Sequence, residues 1–195
     1  MSGKPTLQTR VDIVVGPDIA EGMSKPAITT SRLLLRRWRS DDLEPFAAMC
    51  SDPEVMRYIG SGDTRTREQA AAAILAFERV WEEKSYGLFA VELLGSNQLI
   101  GFTGLAEPAF LPEIMPAVEV GWRFMRQSWG KGYATEAARA VLDFGADQLG
   151  ISEILSIHQV RNDASARIMQ KLGMRFDRET MDQTCGRLVR VYRTC

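Results

Sequence analysis

Long apolar runs, cysteine and histidine are all scarce in this sequence, and each scarcity narrows its reading. No apolar stretch reaches the roughly 20 residues that a membrane-spanning helix needs, and the first residues lack the apolar core of a signal peptide. Cys50, Cys185 and Cys195 are scattered, a pattern of packing or chance thiols in a reducing cytoplasm rather than of a disulfide scaffold. His158 is the single histidine, and no Cys/His spacing matches a zinc site. Neither sign of charge is in excess: 24 Lys and Arg against 25 Asp and Glu leave a net charge of −1, which argues against a general nucleic-acid binder. The expectation is a cytoplasmic protein with no membrane, no direct nucleic-acid partner and no metal.

What remains is ordinary globular composition. A chain of 195 residues, 45% hydrophobic and 25% charged, suits one domain that buries roughly 70% of its unfolded surface. Residues 28–195 contain no internal repeat and no domain break. Residues 1–27 read as a flexible N-terminal extension. Within it VDIVV at 11–15 is strand-like but set among Gly, Pro, Lys and Ser, and Met23 is an alternative natural start.

The body is organised around residues 126–149, RQSWGKGYATEAARAVLDFGADQL. Ala134, Ala137, Ala138, Val141, Leu142, Gly145 and Leu149 recur at helical spacing and form one apolar stripe. Just upstream, residues 117–125 alternate, with Val118, Val120, Trp122 and Phe124 on one strand face. The order is strand, glycine turn, helix. Glycines at a helix start let the backbone approach a ligand closely, while unpaired N–H groups and the helix dipole favour an anion. The turn therefore reads as a phosphate cradle. Its spacing is neither that of a P-loop, since Gly132 follows Lys131, nor that of the dinucleotide fingerprint, since Thr135 stands at the third glycine position.

The flanking segments alternate between strand and helix signals. Residues 31–38 read as a strand, Ser40, Asp41 and Asp42 as a cap for a short helix through Phe46 and Met49, and Asp52-Pro53 as the start of another turn. Thr66 and Gln69 resemble a capping box opening a helix with Ala73, Ile74, Phe77, Val80 and Trp81 on one face. Residues 86–94 and 98–105 form an antiparallel hairpin, 153–160 a strand and 162–172 a capped helix ended by Gly173. Residues 174–178 and 188–193 close the chain as a second hairpin. Trp38, Trp81 and Trp122 read as core.

QSWGKGYA resembles the acetyl-CoA pyrophosphate loop of the GNAT superfamily of N-acetyltransferases, Gln/Arg-x-x-Gly-x-Gly/Ala. SRLLLRRWRSDDLEPF, SDPEVMRYIG and NDASARIMQKLGMRF are similar to segments of the branch that acetylates ribosomal-protein N-termini (RimJ/RimL-type), in the same order across residues 28–194. The resemblance implies an α/β GNAT fold, a mixed and mostly antiparallel sheet flanked by helices. It also implies acetyl-CoA as co-substrate and direct transfer to an amine. By the same resemblance, Gln127, Trp129, Gly130, Lys131, Gly132, Tyr133 and Ala134 hold the pyrophosphate, and Phe124 and Met125 bind the pantetheine arm as an added strand. Asn162 contacts it from the second segment. Lys131 and Lys171 are either phosphate partners or solvated surface lysines, and Trp129 is expected to pack the turn against the core.

Two residues are candidates for proton transfer. Glu119 lies by alternation opposite the Val118, Val120, Trp122 and Phe124 face, which the resemblance directs at the acceptor cleft. It is read either as the acceptor of the amine proton or as a structural partner of Arg123 or another basic residue. Ser165 is read either as a hydrogen-bond donor to the CoA sulfur or as a helix-cap hydroxyl. Met169 occupies the place of the family's usual acid Tyr, so that route is closed. His158 reads as a locally satisfied strand residue. Deprotonating a lysine amine at neutral pH costs about 4.6 kcal/mol against about 1.4 for a terminal α-amine, and a chain with no evident strong base favours the latter. The expected acceptor is a protein N-terminal α-amine. A small-molecule amine (polyamine, amino-sugar antibiotic or amino acid derivative) and a non-catalytic acyl-CoA binding module are the alternatives. Monomer and homodimer are both open.

Overall fold

The computed structural model describes residues 26–195; the strand-like run at 11–15 lies outside the described residues. Eight strands form one sheet: β1 (Ile28–Thr29), β2 (Leu33–Arg36), β3 (Leu88–Leu93), β4 (Gln98–Ala106), β5 (Glu119–Phe124), β6 (Leu155–Gln159), β7 (Arg175–Asp182) and β8 (Arg187–Arg193). Their order is β1-β2-β3-β4-β5-β6-β8-β7, and every neighbouring pair is antiparallel except β5 and β6. Five helices flank the sheet: α1 (Leu43–Ser51), α2 (Pro53–Met56), α3 (Arg67–Lys84), α4 (Tyr133–Asp147) and α5 (Asp163–Lys171).

Local chemistry sets the helix ends. The Thr66 hydroxyl accepts from Gln69 N at 3.3 Å and the Gln69 side chain accepts from Thr66 N at 2.8 Å, so the capping box opens α3. Asn162 caps α5 by accepting from Ser165 N at 3.2 Å. After α5, Gly173 takes a left-handed φ of 79° that ends the helix. Asp42 departs from its expected role as a simple cap. It accepts from Arg39 N at 2.7 Å and is also buried against Arg36.

Two apolar layers cover the sheet. On one face the α4 stripe (Ala137, Ala138, Val141, Leu142) packs against Leu33, Leu35, Val91, Val120 and Phe124. On the other, α1 and α3 bring Phe46, Met49 and Phe77 against Trp38, Ala90, Phe102 and Met125. Trp38 and Trp81 are buried as expected, whereas Trp122 is only half-buried and borders a cavity.

A buried ion triad links β2, β3 and the turn before α1. Arg36 meets both Asp42 oxygens at 2.7 and 2.8 Å and Glu92 at 2.8 Å. Arg36→Met leaves two buried carboxylates without their main cation, a loss of about 3–5 kcal/mol. Thermal unfolding is expected to fall by roughly 6–20 °C while acetyl-CoA affinity holds, since the triad lies away from the glycine turn. A variant that melts with the wild type would show that the triad stabilises little.

Candidate active site

The sheet opens at one place. β5 and β6 pair only at Glu119 and Leu155, where Leu155 N donates to Val118 O at 2.8 Å. One step further the Ser156 hydroxyl bridges to Val120 O at 2.9 Å, and beyond that the strands separate. Main-chain groups of Gly121 and Met125 face β4, where Thr103 Oγ1 donates to Gly121 O at 2.8 Å and Met125 N donates to Ile100 O at 2.9 Å. By strand alternation the N–H groups of Trp122 and Phe124 point into the gap. They are the ones free to pair with an extended ligand. Met125, whose N–H is already used, is not.

At the mouth of the gap lies the glycine turn. Gly130 and Gly132 have φ of 75° and 82°, left-handed values that other residues adopt only with strain. Gly132 is the N-cap residue of α4 and supplies no side-chain cap. The N–H groups of Gly130, Lys131 and Gly132, with the first N–H groups of α4, have no acceptor among the described residues. A 15-residue helix whose positive end is left uncapped beside a cavity fits a pyrophosphate.

The turn is also braced from residues 30–32, which link β1 to β2. Glu136 accepts from Thr30 Oγ1 at 2.6 Å, Ser31 Oγ at 3.0 Å, Arg32 N at 3.1 Å and Arg32 Nε at 2.7 Å. Arg32 in turn donates to Lys131 O at 2.9 Å and stacks over Tyr133 at 4.6 Å. Nothing local in the sequence pointed to this brace, because its two halves are about a hundred residues apart.

A cavity of about 870 Å³ runs through the gap and is lined from both faces of the sheet. Phe124, Trp129, Gly130, Gly132, Tyr133, Ala134, Asn162, Ser165 and Lys171 border its α4–α5 side. Arg167, which sequence reading passed over, joins Lys171 there as a second cation. Met125, Gln127 and Lys131 do not line it. Met125 is core, Gln127 is exposed with its amide on Met125 Sδ at 3.6 Å, and Lys131 is exposed. Trp129 does not pack into the core as expected. The residue is 47% exposed and its indole N–H donates to Phe124 O at 2.7 Å, satisfying a carbonyl that the gap leaves without a strand partner.

Glu119, Gly121 and Arg123 border the opposite side with Phe77, Leu88 and Phe102. Glu119 has neither hydrogen bond nor ion pair among the described residues, and burial alone pushes its carboxyl up to about 8. Arg123 is not its partner, and no other basic residue pairs with it among the described residues. Four residues apart on a strand, the Cα atoms of Glu119 and Arg123 are about 13 Å from each other. Ser165 presents its hydroxyl without a partner, while its N–H takes the Asn162 cap. His158 is only half satisfied. Its Nδ1 lies 2.8 Å from Gln159 O, so Nδ1 carries the proton and donates, while buried Nε2 has no partner. Burial holds this imidazole below its ordinary range, and it is neutral at physiological pH. Among the described residues no His, Cys, Asp and Glu cluster could hold a metal, and no helix is long and apolar enough to cross a membrane.

A splayed β5–β6 pair beside an uncapped, glycine-started helix defines a site with room for an extended chain next to a cradle for an anion. The acetyltransferase (GNAT) domain model matches residues 32–175, and the chain belongs to that family of acetyltransferases. It is 34% identical over 152 residues to the uncharacterized N-acetyltransferase YnaD of Bacillus subtilis, covering 76% of this chain and 82% of that one. A GNAT-family acetyltransferase from Bacillus anthracis superposes at a TM-score of 0.73 with 27% identity, over 86% of this chain and 97% of that one. The RimL ribosomal-protein acetyltransferase bound to coenzyme A superposes at 0.70 over 85% and 94% of the two chains. At 11% identity that is a likeness of fold.

Proposed function

We propose that the chain transfers acetyl from acetyl-CoA directly to an α-amine, with a protein N-terminus as the favoured bearer and an amino acid derivative as the alternative. Glu119 is the observation that carries this reading. A carboxyl raised to about 8 is matched to an α-amine near pKa 8, and proton transfer between them is close to balanced. A lysine amine, more than two units higher, fits such a base poorly. Polyamines and amino-sugar polycations fit poorly too, because Arg123 and Arg65 border the same side of the cavity.

The thioester supplies the electrophilic carbonyl and the thiol leaving group. The chain's own groups do the rest. Residues 130–134 and the α4 N-terminus hold the pyrophosphate, and the Trp122 and Phe124 N–H groups align the pantetheine arm and meet the thioester oxygen. Glu119 takes the proton as the amine nitrogen bonds to the acetyl carbon and the carbon–sulfur bond breaks. The departing sulfur receives a hydrogen bond from Ser165. No acetyl-enzyme is invoked. Cys50 is buried, and desolvation raises its thiol pKa.

The test is thiol release from acetyl-CoA against paired amines: N-terminal peptides, free amino acids, lysine side-chain peptides with blocked N-termini, and spermidine. Release with α-amines and little with the blocked lysine peptides or spermidine is expected. Faster release with spermidine or the lysine peptides would overturn the assignment.

A further inference from the structure

Arg123 stands out as a cation with no counter-ion. Its Nε is buried and makes no hydrogen bond, and its Nη1 reaches only sulfur, 3.4 Å to Met56 Sδ and 3.9 Å to Cys50 Sγ. The guanidinium stacks over Phe102 at 5.1 Å, a contact that compensates only part of the lost hydration. Arg65, on the loop before α3, borders the same cavity, adds like charge and has no side-chain partner among the described residues. None of the acids nearby pairs with Arg123 or Arg65 among the described residues. Glu54 pairs with Arg57 at 3.8 Å, and Asp182 accepts from Thr184 N at 2.9 Å and Thr184 Oγ1 at 2.6 Å. Glu119 is about 13 Å away along β5.

The cofactor does not fill this role. Val120 and Phe124 of β5 face α4, whose N-terminus forms the phosphate cradle, whereas Arg123 points to the α1–α3 face among Cys50, Met56 and Phe102. The cationic pair therefore lies on the acceptor side. Left unpaired, a buried guanidinium destabilises the fold, and a ligand that brings the opposite charge removes that penalty.

We infer that the acceptor carries an anionic group, a carboxylate or a phosphate, that docks against Arg123 and Arg65 while its amine is held near Glu119. This rests on the α-amine reading above and narrows it to acidic acceptors: an amino acid with its own carboxylate, or a protein N-terminus with an acidic or phosphorylated residue close behind the amine. Arg123 and Arg65 are then the residues that set specificity.

Matched acceptors test it: serine against serinamide, tetrapeptides beginning Ser-Glu against Ser-Gln, and Ser-phosphoSer against Ser-Ser. The anionic member of at least one pair is expected to show kcat/KM about 10- to 100-fold higher, and the pair that responds identifies the source of the charge. In Arg123→Met that ratio collapses towards one, Arg123→Lys restores part of it, and acetyl-CoA affinity is unchanged in both. A ratio near one for every pair in the wild type, or a preserved ratio in Arg123→Met, overturns the inference. A second reading needs no turnover and separates failure here from failure of the α-amine assignment. With CoA saturating the cradle, succinate or inorganic phosphate at constant ionic strength is expected to raise the melting temperature of the wild type but not of Arg123→Met. No rise, or an equal rise in both, overturns it.

Discussion

Glu119→Gln is expected to lower kcat at pH 7.5 by roughly 100-fold or more, the scale of general-base catalysis, while acetyl-CoA binds as before. The amide keeps the shape of the carboxyl and removes only its capacity to take a proton. The pH profile makes the assignment sharper than the rate alone. On the proposed mechanism two groups lose protons before reaction in the wild type, the acceptor α-amine near 8 and Glu119 at about 8. Below that pH, log(kcat/KM) rises with a slope approaching two, and it levels off above. In Glu119→Gln only the amine titrates, so the slope drops to one. A Glu119→Gln enzyme with wild-type kinetics and an unchanged profile removes this residue from the mechanism.

Stability moves the other way. A carboxyl whose pKa is raised on folding favours the native state only while it stays protonated. Its contribution is complete below about pH 4, near the pKa of the unfolded chain, and is lost as pH climbs through about 8. Glu119→Gln is therefore expected to melt higher than the wild type above pH 8, with the difference shrinking towards pH 4. On the proposed mechanism, catalysis draws on a group that the fold favours in its neutral form.

The parts of this molecule legible in its sequence are those fixed over a few residues. Thr66 with Gln69, Asn162 with Ser165, Gly173 and the 95–97 turn each act within one turn of chain, and the structure places them where spacing predicts. The cradle was legible for the same reason. Gly130, Gly132 and the apolar stripe after them declare a glycine turn and a helix start without any distant partner. Glu119 was legible as to face, because strand alternation has a period of two, but not as to company. Residues four apart are neighbours on a helix, whereas on a strand that separation is about 13 Å.

The gap itself was illegible. It exists because β5 and β6 share a single bridge while β6 keeps its pairing with β8 along Leu155–Gln159 on its other edge, an outcome decided between segments far apart in the chain. The brace from Glu136 to residues 30–32 and the missing counter-ion of Arg123 are of the same kind. Each depends on what long-range folding brings near, or fails to.

Gly130→Glu is expected to weaken acetyl-CoA binding by roughly 100- to 1,000-fold, measured by calorimetric titration. Two effects act together, and a second variant separates them. The first is strain. Gly130 sits at φ 75° with nothing within 4 Å of an added Cβ, so a side chain meets no clash but holds a left-handed backbone at about 1–2 kcal/mol. Gly130→Ala carries that cost alone, and its affinity is expected to fall by about tenfold or less, through loosening of the turn. The second effect is charge. A carboxylate at this position stands about 4 Å from a phosphate held by the adjacent N–H groups, a repulsion near 4 kcal/mol at an effective dielectric of 20. Because that repulsion is screened, the gap between the Glu and Ala variants is expected to narrow as ionic strength rises. The fold should survive both changes, since Gly130 is exposed and the α4 stripe packs independently of it. If Gly130→Glu binds acetyl-CoA with wild-type affinity, the phosphates do not lie at this helix end. The splayed strands would then have to hold the cofactor from some other direction.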